Sequence, residues 1–319
     1  MKFCRLIFLG SLLIVLLTTV GKAEEVSLTP LGTWSWSQAS FSTAEARDSM
    51  LDFCGKESIS HIDQHISIAS TKTGYVIKNA EALAALLVDA TKRGISINAL
   101  RGERDMFFAK NHERALEHLK ALIAFNNELP KEARFAGIKY DVEPYLTPEW
   151  KAGGGARENV ILDYLAFLRE ARSIIDAEAP EIELCADIPF WWEKPEFACD
   201  VNGKSQLLIH HIIDLTDWIG IMSYRRSSAE VLRLTKEEFD YAEKISKSDS
   251  IAPAINTMTI TGAEEHTSFG GLSVEELRET ISELRASLSN VGAARFLMVH
   301  DYKNFMKFLE TAPEARAEE

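Results

Sequence analysis

In the stretch Phe135-Ala-Gly-Ile-Lys-Tyr-Asp-Val-Glu-Pro-Tyr145, two carboxylates, Asp141 and Glu143, stand one residue apart in a run that alternates with period two. In an extended strand Ile138, Tyr140 and Val142 face one way and Lys139, Asp141 and Glu143 the other, with the two acidic positions about 7 Å apart along the chain. If the second face looks into a water-poor interior, two like charges push one acid toward its protonated form. A carboxylic acid still protonated near neutrality is what cleavage of a glycosidic bond asks of its general acid. Glu143, nearer the outer end, is the expected acid/base. Asp141 is its expected partner, as base, nucleophile or stabiliser of oxocarbenium-like charge. The competing arrangement is a Lys139–Asp141 ion pair that fills the interior and leaves Glu143 solvated.

The elements that must hold these acids repeat one unit. Eight short apolar or β-branched runs (Gly32 to Trp36, His61 to Ala69, Ser96 to Leu100, Ala136 to Glu143, Ile182 to Ile188, Trp218 to Tyr224, Ile251 to Thr257 and Phe296 to Tyr302) alternate with segments of helical spacing. Ala80, Leu83, Leu86, Leu87 and Ala90 form one such stripe, closed by Gly94. Ser273 with Glu276 opens another as a capping box. Strand–helix alternation predicts parallel strands joined by crossover helices, and eight units without a Pro/Gly/Ser linker predict an α/β protein with a single (β/α)8 TIM barrel over residues 24–319. Chemistry in such barrels gathers where strands pass into βα loops. Those ends carry Trp34 and Trp36, His65, Arg101 with Glu103, Asp141 and Glu143, Asp187 with Trp191 and Trp192, Tyr224 with Arg226, Asn256, and His300-Asp301-Tyr302.

On these residues the chain resembles two families of barrel glycosidases. The fourth strand is similar to the D-G-x-D-x-D-x-E element of glycoside hydrolase family 18, the chitinase-like barrels, and to the D-x-E of family 25, the muramidase or lysozyme type. Asp141 and Glu143 match the last two acidic positions. Ile221-Met222-Ser223-Tyr224 resembles the M-x-Y of the chitinase-like sixth strand, which implies that Tyr224 contacts the reacting sugar. Ala136 and Lys139 stand where that family has its first two aspartates. Its substrates attack through their own acetamido group, held by the aspartate relay. A lysine there is expected to keep Asp141 ionised, which argues against substrate assistance and leaves Asp187, Asp301 or Glu103 to supply a second carboxylate.

The resemblance and the rim together imply a secreted glycoside hydrolase of an amino-sugar polymer, either chitin-like or peptidoglycan; the acidic chain and the altered relay suit a de-N-acetylated form, and the alternative is that the net charge serves solubility alone. Trp34, Trp36, Trp191 and Trp192 are the expected sugar-stacking platforms. Asp187, Arg226, Asp301 and Tyr302 are further expected substrate contacts, the arginine through a substrate carboxylate. No cofactor and no metal are expected. The rival readings are a carbohydrate-binding barrel without catalysis and a metal-dependent amide hydrolase or deacetylase. The latter would use His61, Asp63 and His65, which alternate on one face of the second strand.

Other features exclude or place. There is no G-x-G-x-x-G, no P-loop and no G-x-S-x-G elbow, so nucleotide binding and serine hydrolysis lack their usual motifs. A net charge of -13 disfavours nucleic acid and anionic membranes as partners. Lys2 and Arg5 precede an apolar run from Leu6 to Val20, and Gly21-Lys22-Ala23 supplies the small residues of a cleavage site. Residues 1–23 are therefore expected to be a signal peptide, and the product to be secreted or periplasmic without stable membrane insertion. Export leaves Cys54, Cys185 and Cys199 in an oxidising compartment, either as a Cys185–Cys199 bridge with one thiol over or as three buried thiols. Gly153-Gly154-Gly155 is expected to be a mobile loop over the fourth strand.

Overall fold

The computed structural model describes residues 28–313; the expected signal peptide lies outside them. Eight parallel strands close into a barrel: β1 (Leu31–Ser35), β2 (Ile59–His65), β3 (Ser96–Arg101), β4 (Gly137–Tyr140), β5 (Glu183–Pro189), β6 (Trp218–Met222), β7 (Ile251–Asn256) and β8 (Leu297–His300). They neighbour one another in chain order, and β8 pairs with β1 to complete the ring. Each of the eight expected strands is present. The helices between them are α1 (Ala44–Lys56), α2 (Ala80–Lys92), α3 (His112–Glu128), α4 (Pro148–Ala152), α5 (Gly154–Glu178), α6 (Leu208–Leu215), α7 (Ser228–Leu234), α8 (Lys236–Lys244) and α9 (Val274–Leu288), with α10 (Tyr302–Thr311) closing the chain.

Two cores result from the period-two alternation of the strands. Outward residues such as Ile62, Ile97, Ile138, Leu184, Ile219 and Val299 meet the buried stripes of the helices, among them Leu83, Leu86, Leu87 and Ala90 of α2. Ser273 and Glu276 form the capping box of α9, satisfying two donors that an N-terminus otherwise leaves open. Inward residues make the second core: Trp34, Leu100, Cys185, Trp218, Ala252, Ala254, Phe296 and Met298.

Several expected boundaries shift. The second strand stops at His65, and Ile68–Thr71 instead pairs antiparallel with Gly74–Ile77 as a hairpin above the barrel. The fourth strand ends at Tyr140, so Asp141 and Glu143 lie on its exit rather than within it. Gly153-Gly154-Gly155 is not a loop. Gly153, at φ 71°, is the joint between α4 and α5, and Gly154 begins α5. That backbone region suits glycine because it lacks the Cβ that would clash. The three described cysteines are all buried and unpaired, so the Cys185–Cys199 bridge is absent. Cys185 points into the barrel core while Cys199 starts an outer hairpin with Lys204–Gln206. Among the described residues no helix is long and apolar enough to cross a membrane.

Candidate active site at the strand exits

At the C-terminal mouth of the barrel a cavity of about 320 Å³ is lined by Trp34, Trp36, Gly102, Asp141, Glu143, Asp187, Met222, Tyr224, Asn256, Met258 and His300. Seven of the eight strands contribute to it directly or through their exits. Asp141 continues the ladder beyond β4, its N–H donating to Arg101 O at 2.8 Å. The chain beside it must be glycine: a Cβ on Gly102 would meet Asp141 O at 2.6 Å. Glu143 follows, and the Tyr145 hydroxyl donates to its Oε1.

The acids at the mouth are not alike. Burial, then the nearby charges of Asp187 and Glu143, push the Asp141 carboxyl well above its ordinary value. Asp187 is raised to about 6 by burial, against the pull of the Lys139 ammonium. The Tyr224 phenol is also pushed far up by burial and by the same carboxylates, so it stays a hydroxyl donor. Burial lowers His300, which keeps it neutral. The Trp36 indole donates to His300 Nε2 at 3.3 Å, which puts the remaining ring proton on Nδ1.

The expectation that Lys139 holds Asp141 ionised fails, because the ammonium is already committed. Lys139 is fully buried and donates to Asp63 Oδ2 at 2.7 Å and pairs with Asp187 Oδ1 at 2.8 Å. No Lys139–Asp141 ion pair forms among the described residues. Two carboxylates already flank Lys139, so it offsets little of the charge around Asp141. Below them, His61 Nε2 lies 3.0 Å from Asp63 Oδ1, and His61 Nδ1 lies 2.8 Å from Ser96 Oγ. His61 and Asp63 are thus interior side chains with partners in the barrel. Among the described residues no three His, Cys, Asp or Glu side chains converge as a metal ion would require.

The structure brings Glu143, Asp141, Tyr224, Trp34, Trp36 and Asp187 to one cavity and places the other expected contacts elsewhere. Trp192 is fully buried, stacked on Trp150 at 5.6 Å and edge-on to Tyr145 at 6.2 Å. Trp191 meets Tyr145 edge-on at 5.3 Å. The pair therefore braces Tyr145, the residue that holds Glu143, instead of lining the cavity. Arg226 donates to Ser268 O at 2.5 Å and reaches Glu265 at 3.5 Å, tying down the loop after β7. Asp301 is the N-cap of α10, accepting from the N–H groups of Lys303 at 2.9 Å and Asn304 at 3.1 Å. The Tyr302 hydroxyl donates to Ser40 Oγ at 2.8 Å within the outer core. Glu103 is a fixed anion beside the hairpin: burial raises it, but His118 and Arg101 outweigh that and hold it at about 2.

Gly102, Met258 and Tyr145 carry no expectation from the sequence. Asn256 stands among the strand ends and Met222 within the M-x-Y element, each without a role, and both line the cavity from the ends of β7 and β6. Tyr145 carries no such signal, since its contact with Glu143 depends on the 3₁₀ turn from Pro144 to Leu146.

No known family profile matches the chain, and no curated protein sequence is detectably similar. Solved structures share the architecture. A GH18 chitinase from Pseudoalteromonas aurantia superposes with a TM-score of 0.52 at 12% identity, over 88% of this chain and 99% of that one. The structure of YKL-39 with chitooligosaccharides gives 0.54 at 11% identity, over 89% and 96%. A calcium-binding mutant of Bacteroides uniformis beta-glucuronidase 2 gives 0.56 at 9% identity, with 86% of this chain covering 30% of that one. Likeness at this level shows the fold: this chain is a single (β/α)8 barrel.

Proposed function

We propose that this barrel is a glycoside hydrolase of an N-acetylated amino-sugar polymer, chitin-like or peptidoglycan, with Glu143 as acid/base. The observation that carries the reading is the convergence of Glu143, Asp141, Tyr224 and Trp34 on one cavity at the strand exits. The barrels it resembles in fold include a chitinase and a protein solved with chitooligosaccharides, which supports a sugar in that place.

The geometry supports a role for each of these residues. Trp34 is a nearly buried indole on the cavity floor, suited to stack beneath a pyranose ring. Glu143, oriented by Tyr145, gives its proton to the glycosidic oxygen and later takes one from water. Asp141, held protonated by its burial, accepts through its carbonyl oxygen from the substrate's acetamido N–H and so orients the acetamido oxygen toward the anomeric carbon. Tyr224 offers a hydroxyl donor on the same side. A protonated Asp141 removes the objection to substrate assistance, so acetylated sugars replace the de-N-acetylated preference that the acidic composition suggested. Secretion follows from residues 1–23 alone and is proposed on that ground.

The test is incubation of the purified protein with chitin, peptidoglycan and their deacetylated forms, reading reducing ends. Release from the acetylated polymers and little from the deacetylated ones is the expected pattern. Equal or faster release from deacetylated material removes the role given to Asp141. No release from any of them removes the activity.

A further inference from the structure

The barrel floor beneath the cavity holds an ammonium between two carboxylates drawn from different strands. Lys139 on β4, Asp63 on β2 and Asp187 on β5 are each essentially without solvent exposure. Lys139 Nζ reaches Asp63 at 2.7 Å and Asp187 at 2.8 Å. It also lies over the Trp34 ring at 5.0 Å and the Trp218 ring at 4.0 Å, cation–π contacts on two faces. The remaining oxygen of Asp187 accepts from the Trp34 indole at 2.9 Å. The sequence keeps room for this arrangement. Gly220 stands opposite Asp187 in the β5–β6 register, and a Cβ there would come within 2.0 Å of Asp187 Oδ1 and 2.9 Å of Lys139 Nζ. Two of the groups so tied, Asp187 and Trp34, line the cavity.

We propose that Lys139 is a positioning residue of this site: clamped by Asp63, it fixes Asp187, and through Asp187 it sets both the orientation of Trp34 and the charge that Asp141 meets. This rests on the glycosidase reading above and deepens it. Where the chitinase-like pattern it resembles takes its support from aspartates on one strand, this chain assembles that support from three strands around a lysine. The charged groups facing Asp141 are Asp187 from β5 and Glu143 from its own exit, with Lys139 and Asp63 below. Tyr145, Tyr164 and Tyr224 are phenols that burial keeps protonated. Asp187 is the largest charge among them, so neutralising it lets Asp141 give up its proton at lower pH. Removing Lys139 and Asp63 together deletes one charge of each sign and strands Asp187, which then takes up a proton and acts in the same direction.

The experiment compares wild type, Asp187→Asn and the double variant Lys139→Met/Asp63→Asn. It reads kcat against pH on a chitooligosaccharide and the Trp34 indole resonance against pH, assigned by its loss in Trp34→Phe. The alkaline limb of kcat, which reports loss of a proton from the interacting Asp141–Glu143 pair, is expected to move down by about one pH unit in both variants. The wild-type indole is expected to titrate with Asp187 near pH 6, to be flat in Asp187→Asn, and to shift its midpoint upward in the double variant. A lower kcat with an unmoved limb reduces Lys139 to a structural role and overturns the proposal. Asp187→Asn, which is isosteric, keeps the test decisive if the double variant does not fold. If wild type hydrolyses nothing, the activity fails separately, and the indole titration decides alone: a flat wild-type resonance overturns the coupling, and a midpoint raised in the double variant sustains it.

Discussion

Two clusters of charged side chains lie a few residues apart in this barrel, and they have opposite fates. On the floor, Asp63, Lys139 and Asp187 are dry, mutually paired and held in a slot that a single Cβ would block. At the mouth, Asp141 and Glu143 have no cationic partner among the described residues, and Asp141 Oδ1 is buried without a hydrogen bond. Paired charges fix a shape. Unpaired ones near a cavity keep a free energy that only a ligand or a proton can lower. The same strand supplies both: Lys139 belongs to the first cluster and Asp141, two residues on, to the second.

The floor is the more fragile of the two clusters. Lys139→Met alone leaves two buried carboxylates without their cation, and breaking a buried pair in this way costs about 3–5 kcal/mol. Thermal unfolding at pH 7 is expected to fall by about 10 °C. The deficit should shrink only below about pH 4, because Asp63, held low by Lys139 and His61 despite its burial, keeps its stabilising charge in the wild type until the pH falls below the ordinary carboxylate range. A variant as stable as wild type at pH 7 contradicts the floor's structural role.

Asp141→Asn works in the other direction at the mouth. The raised carboxyl prefers its proton in the folded state, so ionisation at alkaline pH opposes folding, and the amide escapes that opposition. The variant is expected to melt about 2–5 °C above wild type at pH 8, with the gain gone below the unfolded acid's ordinary range. Turnover is expected to drop by about 10²-fold or more. Differential scanning calorimetry at pH 4 and 8 beside a rate assay checks both halves.

Smaller effects separate the rim from the periphery. Trp36 is 37% exposed at the cavity edge, and Trp36→Ala is expected to raise KM about fivefold through loss of about 1 kcal/mol of stacking, with kcat kept. Asp301→Ala removes a helix cap worth about 1 kcal/mol. It should lower the melting temperature slightly and leave turnover alone. A kinetic defect in Asp301→Ala would return that residue to the site.

The fold was legible because period-two and helical patterns repeat eight times, and each repeat constrains the next. The place of Asp141 and Glu143 at the mouth was legible from the alternation along the fourth strand, and that of Tyr224 from its likeness to the M-x-Y element at the end of the sixth. What was not legible depended on contacts between strands. Lys139 reads as a partner for Asp141 along the chain, but across the ring it meets Asp63 and Asp187 first. Asp301 and Tyr302 sit at a strand exit by number, yet β8 ends at His300 and the chain turns straight into α10. Trp191 and Trp192 look like sugar platforms by type, and their place behind Tyr145 depends on α4, whose Trp150 packs against both.

The most direct test of the mouth as a place of chemistry is Glu143→Gln, measured for turnover of a chitooligosaccharide and for its binding in the same preparation. The change removes a proton donor with almost no change of shape. Turnover is expected to fall by about 10²- to 10⁴-fold while affinity and melting temperature stay near wild type. Retention of more than half the activity would contradict the account, since the proton would then come from elsewhere.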